Sequence, residues 1–188
     1  MKGAVTPSTE PLLELFYKAL SDPDAEVLSN AAFATGLLIE NSEVDLSPQY
    51  PQLLTALESL FNVNADSPAP RLNAKDNAAG AVARMIVRHP AAIPLPNVLP
   101  AFVKALPLKN DYLENRPVFR AIFYLFQNNP AAILSEIGPL LTVFASVLDP
   151  SAPDQVGEEI RGELINLIRL LNAEQPAKIQ AAGLSIFV

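Results

Sequence analysis

Proline placement constrains this chain more than anything else in it. Pro11, Pro51, Pro100 and Pro139 each open a short run of apolar periodicity, at intervals of 40, 49 and 39 residues. The runs read Pro11-Leu12-Leu13-Glu14-Leu15-Phe16, Pro51-Gln52-Leu53-Leu54, Pro100-Ala101-Phe102-Val103 and Pro139-Leu140-Leu141-Thr142-Val143-Phe144. Proline lacks an N–H, and the first turn of a helix leaves its N–H groups unbonded, so proline is tolerated there and disruptive deeper in. A second series lies between these runs: Asn30-Ala31-Ala32-Phe33, Asn77-Ala78-Ala79-Gly80, Asn115-Arg116-Pro117-Val118 and residues 159–168. Two interleaved series at intervals of roughly 40 residues are the signature of two-helix solenoid repeats.

The pattern predicts an all-α solenoid of about four helix pairs, at 8–40, 48–89, 98–128 and 135–172, with a closing helix at 175–184. Breakers separate them at Ser21-Asp22-Pro23-Asp24, Asp66-Ser67-Pro68-Ala69-Pro70, His89-Pro90, Asn129-Pro130 and Asp149-Pro150-Ser151. Asp22 or Asp24, and Ser47, are the expected N-caps, because a short side-chain oxygen satisfies the free N–H groups of a first turn. Pro117 falls inside a helical pattern, so the helix is expected to start near Arg116 with Pro117 in its first turn and Asp111 to Asn115 forming an irregular lead-in. The apolar opening around Leu12, Leu15, Phe16 and Leu20 has no polar capping helix before it. Residues 1–188 are therefore read as one repeat segment, a piece of a longer array.

Charge and residue inventory narrow the function classes. A net charge of -7 argues against a broad nucleic-acid-binding face. The charge is uneven: residues 1–66 carry 10 acids and 2 bases, residues 67–130 carry 3 acids and 8 bases, and residues 131–188 carry 7 acids and 3 bases. Neither a signal peptide nor an apolar run long enough to span a bilayer is recognisable. With no cysteine and a single histidine, His89, the chain offers neither a thiolate nor a zinc cluster. His89 sits before Pro90 at a helix end, where a dipole or loop role is expected. Asp22 and Asp24 lack the Gly-containing loop and closing Glu of a calcium site. No phosphate loop or nucleophile motif occurs. Neither an enzyme, nor a cofactor, nor a metal is expected.

Binding candidates lie on the second helices. Asn73, Asn77, Gly80, Arg84 and Arg88 recur at steps of three or four, opposite Ala79, Val82 and Ile86. Such a stripe is either the solvated face or a row of amides that holds the backbone of an extended peptide. Asp76, Asp111 and Glu114 gather at helix starts, where they either offset the helix dipole or receive a lysine ammonium between carboxylates and an Asn carbonyl such as that of Asn115. Glu158, Glu159, Glu163 and Asn166 extend an acidic flank on the last pair. Arg84 with Arg88, and Arg116 with Arg120, are like-charge i, i+4 pairs that need nearby acids. An inter-repeat ladder to a residue such as Glu114 is the preferred explanation, and an acidic partner is the other.

The run Asp76-Asn77-Ala78-Ala79-Gly80-Ala81-Val82-Ala83-Arg84-Met85-Ile86, then Val98-Leu99-Pro100, then Leu106-Pro107-Leu108-Lys109-Asn110-Asp111-Tyr112-Leu113-Glu114-Asn115, resembles the C-terminal repeats of β-karyopherin nuclear import receptors of the importin-4 type. The resemblance implies a right-handed HEAT-repeat superhelix with the second helix of each pair on the concave surface. It implies a basic, lysine-bearing cargo such as a core histone tail or a ribosomal protein, and residence in both cytoplasm and nucleus. Ran would be held mainly by repeats outside this chain, and neither nucleic acid nor membrane is implied as a partner. The expected peptide-binding residues are Asn73, Asp76, Asn77, Asp111, Glu114, Asn115, Glu159 and Glu163. The basic middle of the chain departs from what a basic cargo needs, which bears on any site lined by Arg84 or Arg88.

Overall fold

A computed structural model describes residues 3–188, and among these residues the only regular structure is helical. Four pairs succeed one another: α1 (Thr9–Ala19) with α2 (Ala25–Asn41), α3 (Tyr50–Phe61) with α4 (Ala69–Arg88), α5 (Leu95–Lys104) with α6 (Asn115–Asn128), and α8 (Ile137–Leu148) with α9 (Glu158–Glu174). A five-residue helix, α7 (Pro130–Leu134), bridges α6 and α8, and α10 (Pro176–Ala181) closes the array. This is an all-α HEAT-type solenoid.

Local chemistry explains the boundaries. Proline stands in the first two positions of α3, α4, α5, α7 and α10, where its missing N–H costs no hydrogen bond. The Asn129-Pro130 breaker thus also starts α7. Asp24 caps α2, its carboxylate accepting from the Glu26 N–H at 2.7 Å. Ser47 is not a side-chain cap. It begins a 3-10 turn, Ser47–Gln49, and its own N–H donates to Asp45 at 2.9 Å. Pro117 is the third residue of α6, behind a 3-10 turn at Tyr112–Glu114, so it falls in the first turn.

The second helices α2, α4 and α6 pack in succession, with α3 behind α4. Contact on several sides buries α4 almost continuously from Asp76 to Ala83, followed by Met85 and Ile86. Small residues make this possible. A Cβ on Gly36 of α2 would stand 3.1 Å from the Cα of Ala81, so the two helix backbones nearly touch. Bulkier residues carry the core on either side, with Tyr50, Phe102, Phe119 and Phe144 fully buried. His89 ends α4 with its ring edge-on to Tyr50 and its Nε2 3.4 Å from Asp45, a loop role.

No helix among the described residues is long and apolar enough to cross a membrane.

Candidate functional site

The middle of the α4 polar stripe, Asn77 to Arg84, turns inward, while Arg88 at its end is exposed. Asn77 is buried and donates to the main-chain oxygen and hydroxyl of Ser29 on α2, at 3.2 and 3.0 Å. Arg84 donates through Nε to Glu40 of α2 at 2.9 Å, and through both terminal nitrogens to Glu114 at the start of α6. The inter-repeat ladder is therefore present, and it joins α2, α4 and α6. Burial pushes the Glu114 carboxyl above its ordinary range, while the Arg84 guanidinium pulls it back. Gly80 provides the space for this ion pair. A Cβ there would overlap the Glu114 carboxylate and approach Arg84 Nη1 at 2.9 Å.

Gly80→Ala thus sets two effects against each other. Alanine improves helix propensity by about 1 kcal/mol, and overpacking a filled site costs about 1–3 kcal/mol. The overlap falls on a carboxylate with no room to swing away, so overpacking wins. The expected result is a lower urea midpoint with an unchanged m-value.

Asp76 is also turned inward. Its carboxylate accepts the N–H groups of Lys109 at 3.0 Å, Asn110 at 2.7 Å and Asp111 at 2.9 Å, fastening the loop before α6 to α4. Asn73 accepts from the Asn110 side chain at 2.9 Å, a second tie to the same loop. Asn115 is buried and donates to the main-chain oxygen of Gln155 at 2.9 Å, joining α6 to the loop before α9. Asp76, Glu114, Asn115 and the side-chain NH2 of Asn77 are therefore engaged within the fold, while the Asn77 Oδ1 is buried without a partner. The ladder to Glu114 was expected from the charge pattern, whereas the ties made by Asp76, Asn77 and Asn115 were hidden from spacing arguments because their partners lie on other elements.

Of the remaining candidates, Asp111 and Glu159 come together. They line an open basin of about 1090 Å³ between the starts of α6 and α9, with Asn115 in its wall. Asp149, Asp154 and Glu158 complete the acidic lining, against Arg116 and Arg161. Five carboxylates against two guanidinium groups leave a balance of -3. The N-termini of α6 and α9 add back only about half a positive charge each, so the basin stays negative. Asp111 keeps its carboxylate at the rim by capping the 3-10 turn through the Leu113 N–H at 3.3 Å. Hydrogen bonds from Ser151 hold the Asp149 carboxyl below its usual range. Oε1 of Gln155, in the same wall, is buried without a hydrogen-bond partner. Asp149 and Asp154 were missed from the sequence because they sit in a loop without periodicity. The signal was their position just before a helix whose start faces that of α6. Glu163 lies elsewhere, beside a smaller hollow lined by Phe126, Asn166 and Leu170.

Chemically, the basin is suited to cations presented on an extended chain. It contains no convergent nucleophile and base, and no cluster of His, Cys, Asp and Glu able to hold a metal was found among the described residues.

Comparison with known proteins finds similar sequences in importins. The chain is 39% identical over 169 residues to the probable importin subunit beta-4 of Schizosaccharomyces pombe, covering 90% of this chain and 15% of that protein. It is 30% identical over 171 residues to importin-4 of Homo sapiens and over 175 residues to importin-4 of Mus musculus, in each case 91% of this chain and 15% of the relative. The chain thus spans about 15% of the length of the curated relatives it matches. No protein-family model matches it. These relatives are importins by name.

Proposed function

We propose, from the premise that this chain is similar to the importin-4 type of β-karyopherin over nine-tenths of its length, that it is a cargo-binding segment of a nuclear import receptor. The cargo is a basic, lysine-bearing, extended peptide of the kind found in core histone tails and some ribosomal proteins. It lies along the concave face, with lysine side chains entering the acidic basin between α6 and α9. The receptor moves between cytoplasm and nucleus, and Ran acts mainly through repeats outside this chain.

One observation carries this reading: a net-negative basin lined by Asp111, Asp149, Asp154, Glu158 and Glu159. An ammonium group gains charge-assisted hydrogen bonds from such carboxylates. Because the rim is exposed, the attraction is screened by salt.

The test is fluorescence anisotropy of the chain with a lysine-rich histone-tail peptide and its lysine-acetylated twin, at low and high salt. Saturable binding is expected that weakens with salt and with acetylation, since acetylation removes the charge. The triple variant Asp111→Asn, Glu158→Gln, Glu159→Gln is expected to weaken binding by about tenfold, each exposed pair contributing modestly. Asparagine at position 111 keeps the acceptor that caps the 3-10 turn, so the fold should survive. Equal affinity for both peptides would sink the lysine-basin reading. Binding to neither, by a folded chain, would make this segment a helical scaffold without cargo contact of its own.

A further inference from the structure

A second surface of opposite character adjoins the basin. Phe33 and Leu37 of α2, Val87 of α4 and Leu113 before α6 form the apolar lining of a groove of about 610 Å³ that crosses the three second helices. These side chains are large and open to solvent, Leu113 being 84% exposed. Around them stand Arg84, Arg88, Arg116 and Arg120, with Glu40 and Glu114 as the acids of the lining. Both acids are already bound to Arg84. Arg88 donates to the main-chain oxygen of Ser42 at 3.1 Å, a neutral acceptor. Arg120 has only a 3.9 Å approach to the exposed Glu159. The groove thus holds a net positive charge in a chain whose total is -7.

We propose that this groove docks an acidic protein segment that carries apolar anchors, a partner distinct from the lysine-bearing peptide of the basin. The cationic lining consists of arginine alone, whose planar fork matches carboxylates two bonds at a time and packs over apolar surface. Exposed apolar side chains ringed by arginine have the composition of an interface core, and lysine-rich cargo would be repelled there. The lining supplies hydrocarbon, with Phe33 its only aromatic ring, so it favours a peptide's leucine or phenylalanine over stacked nucleobases. Leu113 and Arg116 line both surfaces, so the acidic segment sits directly beside the cationic peptide site.

Phage-displayed random peptides selected on the chain would test this, with the enriched sequences then made as fluorescent synthetic peptides. The expected consensus combines Asp or Glu with large apolar residues. Affinity should fall by about tenfold or more in Arg88→Glu/Arg120→Glu, and clearly in Leu37→Asn, with steep salt dependence in the wild type. Neither arginine lines the acidic basin, so binding of the lysine-rich peptide should not weaken in the arginine variant. All three positions are exposed, and circular dichroism would verify folding, with Arg88→Gln/Arg120→Gln as the milder substitute. The proposal is overturned if no peptide is enriched, if the consensus lacks acids, or if binding ignores both sets of variants. Displacement of the selected peptides only by single-stranded RNA, with no dependence on Leu37, would overturn it in favour of a phosphate-binding surface.

Discussion

Arg84→Ala should destabilise the chain by about 3–5 kcal/mol, because it leaves a buried carboxylate without its counter-ion. The Arg84 side chain is 9% exposed and that of Glu114 2%, so neither charge can turn to water for compensation. Glu40, at 46% exposed, can, and Glu40→Ala should cost no more than about 1 kcal/mol. The pair also bridges elements that are far apart in sequence, so its loss loosens α2, α4 and α6 from one another. Replacing both partners, as Arg84→Met/Glu114→Leu, should recover most of the loss, since an apolar pair of similar volume has no desolvation cost. Urea unfolding followed by circular dichroism measures all three. The pH dependence supplies a further check. Without Arg84, burial and the neighbouring Asp111 and Glu40 carboxylates act on Glu114 unopposed and raise its carboxyl further above the ordinary range. A raised carboxyl keeps more protons folded than unfolded, so the variant should regain stability as pH falls through that raised value. A variant whose deficit were the same at neutral and mildly acidic pH would show that Glu114 is not left charged and buried.

The legibility of this fold in its sequence follows from which forces are local. Proline at a first turn and Asp24 at a cap act on neighbouring residues, and they mark the starts of α2, α3 and α4 directly. Pro100, expected to open a helix, lies instead inside α5, which starts at Leu95 behind Pro94. Periodicity then shows that α4 has two faces, Asn73 to Arg88 on one and Ala79 to Ile86 on the other. It does not say what meets each face. In a solenoid the second helix touches neighbours on several sides, so a polar stripe can be as buried as an apolar one. Asn77 and Arg84 are buried in this way, and their partners Ser29 and Glu114 lie 48 and 30 residues away. The need for those partners was visible in the like-charged Arg84 and Arg88. For Arg84 the acid expected, Glu114, is the one found; for Asn77 nothing local pointed to Ser29. The basin was legible in part: acids at helix starts pointed to Asp111 and Glu159, while the loop acids Asp149 and Asp154 follow no period. Only the stacking of α6 beside α9 brings the four together.

Asp76 offers the other large effect, because one carboxylate holds three consecutive N–H groups of the loop from Lys109 to Asp111. Hydrogen bonds to a charged group contribute about 1.5–3 kcal/mol each, but Lys109 and Asn110 are exposed and their N–H groups can turn to water. Asp76→Ala should therefore cost about 2–4 kcal/mol, less than the sum of its bonds and more than a surface change. Asp76→Asn keeps the shape and one acceptor, yet points an NH2 group at donors, and its cost should be intermediate. Burial pushes the Asp76 carboxyl up, with the loop N–H groups and Lys75 pulling it back. The folded chain accordingly binds this proton more tightly than the unfolded one. Its contribution to stability declines as pH rises from the ordinary aspartate range through the raised value, and Asp76→Asn should abolish that part of the slope. Hydrogen exchange locates the damage: the amides of 109–111 should lose protection before those of α4 and α6. Asp111 sits on the released loop, so Asp76→Ala should weaken the lysine-rich peptide even where the helices remain folded. Full peptide affinity in a folded Asp76→Ala chain would mean that the position of Asp111 does not matter to the basin, and peptide binding would then rest on its other four carboxylates, Asp149, Asp154, Glu158 and Glu159.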